Sequence, residues 1–227
     1  MSNGKIRGIA PGACLAAVRV LDSRGNGKLS CMLEGIQWIL ENQKRLKIRI
    51  VNISAGASKR EPREESELVR AVNSLWDAGL VVCTAAGNEG GDRAYITSPG
   101  ISRKAVTVGC CDDILMIDEQ GRRFEHYSGK GPTLACICKP ELVAPGTNII
   151  SAGVMRKRGD SPYAIKSGTS MATPIVSGAI ALLLEKYPDM DNRNVKLRLR
   201  ERAVDIGLAA NHQGWGRISI PALLADR

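Results

Sequence analysis

The residues best suited to covalent chemistry sit where a run of small residues meets a long apolar stretch. Ser167, Gly168 and Thr169 form a compact turn, and Ser170 to Tyr187 reads as an apolar helix with Pro174 in its first turns, where a missing N–H costs least. The Ser170 hydroxyl is thereby set at the positive end of a helix dipole, among backbone N–H groups with no intrahelical acceptor. A hydroxyl there can act as a nucleophile, because the oxyanion formed on attack develops next to those donors. A plain N-cap is the default reading of an arbitrary serine before a helix. The whole string Gly168–Thr169–Ser170–Met171–Ala172–Thr173–Pro174 is more specific than a cap requires.

The elements that must position this serine follow from periodicity and punctuation. Ala13 to Leu21 is a short apolar run that reads as a buried strand, followed by the turn-rich Asp22 to Gly27. Leu29 to Glu41 reads as a helix with Leu33, Ile36 and Leu40 on one face, and Ile48 to Ser54 as a second buried strand leading into Ala55–Gly56–Ala57. Glu64 to Ala78 is an amphipathic helix with Leu68, Val72, Leu75 and Trp76 inward, Glu64, Glu65 and Glu67 in its first turn and Gly79 at its end. Leu80 to Ala86 is a third strand, Ala105 to Gly109 another, and residues 110–150 read as strands and hairpins near a sheet edge. Asp191 caps a basic helix over 192–204, Gly214–Trp215–Gly216 is a tight turn, and Ile220 to Ala225 is a last short helix. Strand–helix alternation of this kind predicts an α/β fold, a mainly parallel sheet covered by helices on both faces, in a single domain over 1–227. Ligands of such sheets sit at the carboxyl ends of the strands, and the loops there carry glycine.

Composition narrows the function classes. With 227 residues and 44% apolar content the chain can bury a large core. Its net charge of +9 is scattered, with a single Phe and no basic–aromatic stacking pattern, so a solvated face is favoured over a nucleic-acid partner. No apolar run is long enough to span a membrane. The seven cysteines, Cys14, Cys31, Cys83, Cys110, Cys111, Cys136 and Cys138, mostly lie in apolar runs and read as buried core residues. Their spacing fits no zinc site, and with two histidines there is little to complete one, so neither a metal nor a cofactor is expected. Free thiols in this number favour a reducing, cytoplasmic setting.

The string around Ser170 resembles the nucleophile motif of the subtilisin-like serine proteases. It is not the G-x-S-x-G elbow of α/β-hydrolases, because Ala172 stands where that motif needs glycine. The resemblance runs over nearly the whole chain. Gly8 to Asp22 is similar to the segment after the family's catalytic histidine helix, and Ser98–Pro99–Gly100 to a turn that holds a cis proline near the specificity pocket. By resemblance Gly25–Asn26–Gly27 forms one wall of the peptide cleft and Asn52–Ile53–Ser54–Ala55–Gly56 the other. Gly25, Gly27, Ser54, Ala55 and Gly56 would then hold a substrate backbone as an added β-strand. Ala85–Ala86–Gly87–Asn88–Glu89–Gly90 resembles the oxyanion-hole loop. The resemblance implies that the Asn88 amide and the Ser170 N–H stabilise the oxyanion, with Ala85 and Gly87 beside the substrate and Glu89 at the base of the pocket. A plain surface carboxylate is an equally open reading of Glu89.

The family's triad runs Asp, His, Ser along the chain. Neither the Asp nor the His motif appears in this sequence. His126 and His212 lie in segments that resemble parts of the family remote from its catalytic centre, and each reads as an isolated surface histidine. The resemblance therefore implies a serine endopeptidase acting on peptide or protein substrates. This chain alone is expected to be inactive, to lack the sheet's first strands and the family's strong calcium site, and to need a partner segment or to self-associate. The alternative is a non-catalytic module that keeps the peptide cleft.

Overall fold

The computed structural model describes residues 6–56, 66–90, 95–114, 116–117, 121, 123–154 and 161–226. Helix α1 (Leu29–Leu46) leads into strand β1 (Ile50–Ile53); helix α2 (Glu67–Asp77) leads into β2 (Val81–Ala85), and β3 (Val106–Cys110) follows. Two short strands, β4 (Met116–Ile117) and β5 (Arg123–Phe124), form an antiparallel hairpin, and β6 (Leu142–Ala144) returns to the main sheet. Strands β7 (Ile149–Ala152) and β8 (Tyr163–Lys166) pair antiparallel just before the long helix α3 (Thr169–Lys186), and α4 (Asn192–Arg202), α5 (Ala210–Gln213) and α6 (Ile220–Leu224) complete the chain.

The sheet has the order β1-β2-β3-β6 with every pair parallel. Strands β2, β3 and β6 are buried at every position, as expected of parallel strands covered on both faces. Side-chain alternation divides their residues between two cores. Val82 packs with Val51, Ile53, Ile36 of α1 and Leu68, Val72 and Leu75 of α2. Val81 and Cys83 pack on the opposite face with Ala172, Val176, Ile180 and Leu183 of α3, Val195 and Leu199 of α4 and Leu223 of α6. Helix α3 is apolar almost all round because it lies between the sheet and these later helices. The expected α/β architecture, with helices on both faces of a parallel sheet, is the one observed.

Several expectations are corrected. Ala13 to Leu21 forms no strand, and Leu15 is 94% exposed. Ile9 packs at Gly178 of α3, whereas Val18 and Val20 pack at Gly35 of α1, so the segment passes from one face of the sheet to the other. Crossing the edge instead of running along it, it gains no ladder partner. Only Cys83 and Cys110 are buried; Cys31 and Cys111 are half-buried, Cys14, Cys136 and Cys138 are exposed, and all seven are free thiols. Helix α2 begins at Glu67 with Ser66 as its cap, and Glu64 and Glu65 lie outside the described residues. Pro174 is the sixth residue of α3, one turn deeper than its tolerated first positions, so the N–H that would reach the Ser170 carbonyl is missing. Strand β8, which the sequence reading did not anticipate, ends immediately before the serine turn.

Candidate active site

Backbone geometry assembles the site first. Gly168 caps α3 at φ +143, a conformation that favours glycine, and its N–H is held by the Gly146 carbonyl at 2.9 Å. Ser170 is therefore the second residue of the helix and not its cap, which excludes the plain capping reading. Its hydroxyl, half-buried, donates to the Ser54 carbonyl at 2.9 Å.

Thr169, fully buried, joins the serine turn to the loop after β2. Its N–H and its hydroxyl both donate to Asn88 Oδ1, at 2.9 and 3.1 Å, and the same hydroxyl accepts from the Gly87 N–H at 3.1 Å. With Oδ1 engaged by two Thr169 donors, Asn88 Nδ2 is the amide group turned toward Gly168; a Cβ built on Gly168 would lie 3.1 Å from it. Gly87 has φ +98, and a Cβ there would meet the Thr97 side chain at 2.5 Å, so glycine is required by both conformation and space. Ala85 is the buried last residue of β2, and Glu89 is exposed one residue beyond Asn88.

The end of β1 forms the facing side. Asn52 donates to Ser54 Oγ at 2.9 Å and accepts from Ser177 of α3 at 2.9 Å. Gly56 packs against Thr97 and Ser98, and the Ser98–Pro99 peptide is cis, as the resemblance implied. The structure thus brings Ser170, Asn88, Gly87, Ser54 and Gly56 into one corner, with Ala55, Ala85 and Glu89 as their chain neighbours. Gly25 and Gly27 are in an exposed loop closed on itself. There the Asp22 N–H donates to the Asn26 carbonyl at 2.8 Å, and Asp22 Oδ1 accepts from the N–H groups of Arg24 and Asn26. These backbone bonds, Asn26 first, hold the Asp22 carboxyl below its ordinary range. No hydrogen bond among the described residues ties that loop to the Ser170 corner.

Both histidines of the chain gather elsewhere, at Asp113. His212 Nε2 lies 3.3 Å and His126 Nδ1 3.8 Å from Asp113 Oδ1, with the rings edge-to-face at 6.4 Å. His126 is exposed, but His212 is buried, which corrects its reading as a surface residue. Burial raises the Asp113 pKa, but the contact with His212, the Ser128 N–H and Lys130 outweigh it and hold the carboxyl below its ordinary value. The buried thiols are poor nucleophiles: desolvation pushes Cys83 and Cys110 up to about 12.

Two supports escaped sequence reading. Asp112 Oδ1 accepts from the Gly146 N–H at 2.7 Å, the Thr147 N–H at 3.1 Å and the Cys110 thiol at 2.8 Å, and so fixes the loop whose carbonyl holds Gly168. Lys139, fully buried in a pair with Glu141 at 2.7 Å, also donates to the Ser102 carbonyl and to Thr107 Oγ1. Both also reach partners distant in sequence, Gly146 and Thr147 for Asp112 and Ser102 and Thr107 for Lys139.

The sequence profile of the subtilase family matches residues 1–216. Serine protease AprX of Bacillus subtilis is 41% identical over 213 residues, which are 88% of this chain and 48% of that protein. Subtilisin DY of Bacillus licheniformis is 32% identical over 219 residues, 96% of this chain and 70% of the relative. The chain thus spans about half the length of AprX. The solved S41 psychrophilic protease superimposes with a TM-score of 0.72 at 29% identity, covering 92% of this chain and 69% of that one. The prenylagaramide maturation protease PagA shares the fold, with a TM-score of 0.68 at 24% identity over 89% of this chain and 69% of its own. A serine turn, an asparagine loop and a parallel sheet in this arrangement, matched by the profile over residues 1–216, make the chain a member of the subtilase family.

Proposed function

We propose that this chain carries the nucleophile and oxyanion side of a serine endopeptidase site, with Ser170 as the attacking group and Asn88 Nδ2 and the Ser170 N–H as the oxyanion donors. The observation that carries the reading is the Thr169 bridge, which turns the Asn88 amide toward the first turn of α3. Donors already fixed before reaction stabilise a developing charge without reorganising. Peptide would lie between the end of β1, through Ser54, Ala55 and Gly56, and the loop through Ala85, Gly87 and Glu89; Gly25 and Gly27 supply the outer wall.

The proposal includes a restriction. The sequence holds two histidines, both stand at Asp113, and the Ser170 hydroxyl donates to a carbonyl instead of to an imidazole. A serine hydroxyl without a base is a weak nucleophile at neutral pH. The 227-residue chain alone therefore has no substantial peptidase activity, and the proton acceptor comes from outside these residues. Among the described residues β1 has a strand neighbour on one side only, and Leu15 and Leu29 are exposed, so the chain self-associates or accepts a complementing segment. The free thiols favour a cytoplasmic location.

The test is hydrolysis of a fluorogenic peptide by the purified chain, beside its Ser170→Ala variant. No difference between the two is expected. Turnover that disappears with the serine would overturn the restriction. A monomer in sizing chromatography would overturn the association.

A further inference from the structure

One feature, between the end of α2 and the side of α4, plays no part in this chemistry. A groove of about 300 Å³ runs beside α4, lined by Trp76, Arg193, Lys196, Leu197, Arg200 and Trp215. Its floor is apolar, and Leu197 is 53% exposed within it. Lys196 is fully engaged. It donates to Glu141 Oε1 at 2.9 Å and to the carbonyls of Arg103, Lys104 and Ala105, and it stands 5.6 Å over the Trp76 ring. Arg198 faces away, donating to the Leu223 and Ala225 carbonyls. Arg193 and Arg200 differ from both: each is exposed, and neither side chain makes a hydrogen bond or ion pair among the described residues. Among the described residues no carboxylate lines the groove. Of the nearby acids, Glu141 is held by Lys139 and Lys196, and Asp77 by Lys104 at 2.6 Å.

We infer that this groove docks an extended acidic peptide segment of another protein, with one aromatic or aliphatic side chain set between Trp76 and Trp215. Spacing and charge argue for this occupant. Arg193 and Arg200 are seven residues apart, hence about 10 Å along one helix face. An extended chain in the polyproline II form rises about 3.1 Å per residue with about three residues per turn, so carboxylates three residues apart share one face at a spacing that matches the two guanidinium groups. The side chain between them then reaches the indole-walled floor. Guanidinium groups hold carboxylates through paired N–H donors, and an aromatic anchor in a pocket is the usual centre of a small interface. A second copy of this chain would set like charges face to face. A polynucleotide would find only two unengaged cations and a pocket sized for one side chain.

The experiment uses the full chain and a fluorescein-labelled hexapeptide with two glutamates three residues apart flanking one phenylalanine. Fluorescence anisotropy should show saturable binding that weakens as salt rises. The same peptide with glutamines in place of the glutamates should bind at least tenfold more weakly. The paired change Arg193→Glu with Arg200→Glu should reduce affinity at least tenfold, and Arg193→Gln with Arg200→Gln, a second variant at exposed helix positions, at least threefold. Circular dichroism melts at the wild-type midpoint establish that the folds are intact. Equal affinity of the glutamine peptide, or unchanged affinity in both charge variants, would overturn the inference and place any binding elsewhere, the Ser170 cleft included. Displacement by a single-stranded oligonucleotide more readily than by unlabelled peptide would also overturn it.

Discussion

Two corners of this molecule hold, apart from each other, residue types that acyl transfer would need together. Around Ser170 stand a hydroxyl, a helix N-terminus and an oriented amide. Around Asp113 stand a carboxylate and both imidazoles. The first has a hydroxyl with no imidazole beside it among the described residues; the second has a carboxylate and two imidazoles near a backbone N–H, that of Ser128, held at 3.1 Å. One residue further, the Gly129 N–H donates to the Gly87 carbonyl at 2.8 Å, next to Asn88. The Asp113 corner is thus a brace behind the Asn88 loop. Residue types become chemistry only when the backbone delivers them to the same place, and substitutions in each corner test that division of roles.

The largest effect belongs to Thr169→Val. The change keeps the shape but removes the hydroxyl that accepts from Gly87 and donates to Asn88, in a residue with no exposed surface. Leaving the half-buried Gly87 N–H unpaired costs about 1–3 kcal/mol, to be read as a lower urea midpoint at unchanged slope. Asn88→Ala comes next. It strips the acceptor from the Thr169 N–H, yet Asn88 is exposed and water can replace part of that bond, so about 1 kcal/mol is expected. If Asn88→Ala cost more than Thr169→Val, the bridge would be anchored from the loop and not from the helix.

Much of the Ser170 corner was legible in the sequence because its parts are local strings: a glycine before the serine, a glycine before the asparagine, and strands ending in the Ser54 and Asn88 loops. The Asp113 corner was not. Asp113, His126 and His212 are separated by 13 and 86 positions in the chain, and nothing in their spacing says that α5 brings His212 beneath the segment carrying His126. The central strands were legible from unbroken apolar runs covered on both faces. The run from Ala13 to Leu21 has the same composition but is no strand, since composition reports a wish for burial and not the ladder partner that burial in a sheet needs. The Lys139–Glu141 pair was hidden for a related reason: a buried lysine is written in the same letter as a solvated one.

Asp113→Asn should lower stability modestly near neutral pH, because the amide still accepts from Ser128 but no longer carries the charge that faces His212 and Lys130. Its signature is in acid. The Asp113 carboxyl is held below its ordinary 3.8 in the folded chain, so the unfolded chain takes up its proton first as pH falls. The carboxylate's contribution is therefore complete above the unfolded value and is lost as pH drops through the lower folded one. Denaturation midpoints measured from pH 6 down to pH 2 should fall less steeply for Asp113→Asn than for the parent. An identical slope would remove Asp113 from the brace.

The smallest effect is expected of His126→Ala. Its side chain is 56% exposed and its nitrogen is 3.8 Å from Asp113, beyond hydrogen-bonding distance. Exposed pairs of this kind contribute about 0–1 kcal/mol, so the midpoint should move little at pH 7. The chemical readout is sharper than the stability one. Slow covalent labelling of Ser170 by a fluorophosphonate reports any base that reaches its hydroxyl, and the rate should be the same in the parent, in His126→Ala and in His212→Ala. A tenfold fall in either variant would mean that an imidazole from the Asp113 corner does reach the serine, so that the two corners work as one site. Equal rates would leave the base as the one component that the Asp113 corner cannot lend to the Ser170 corner.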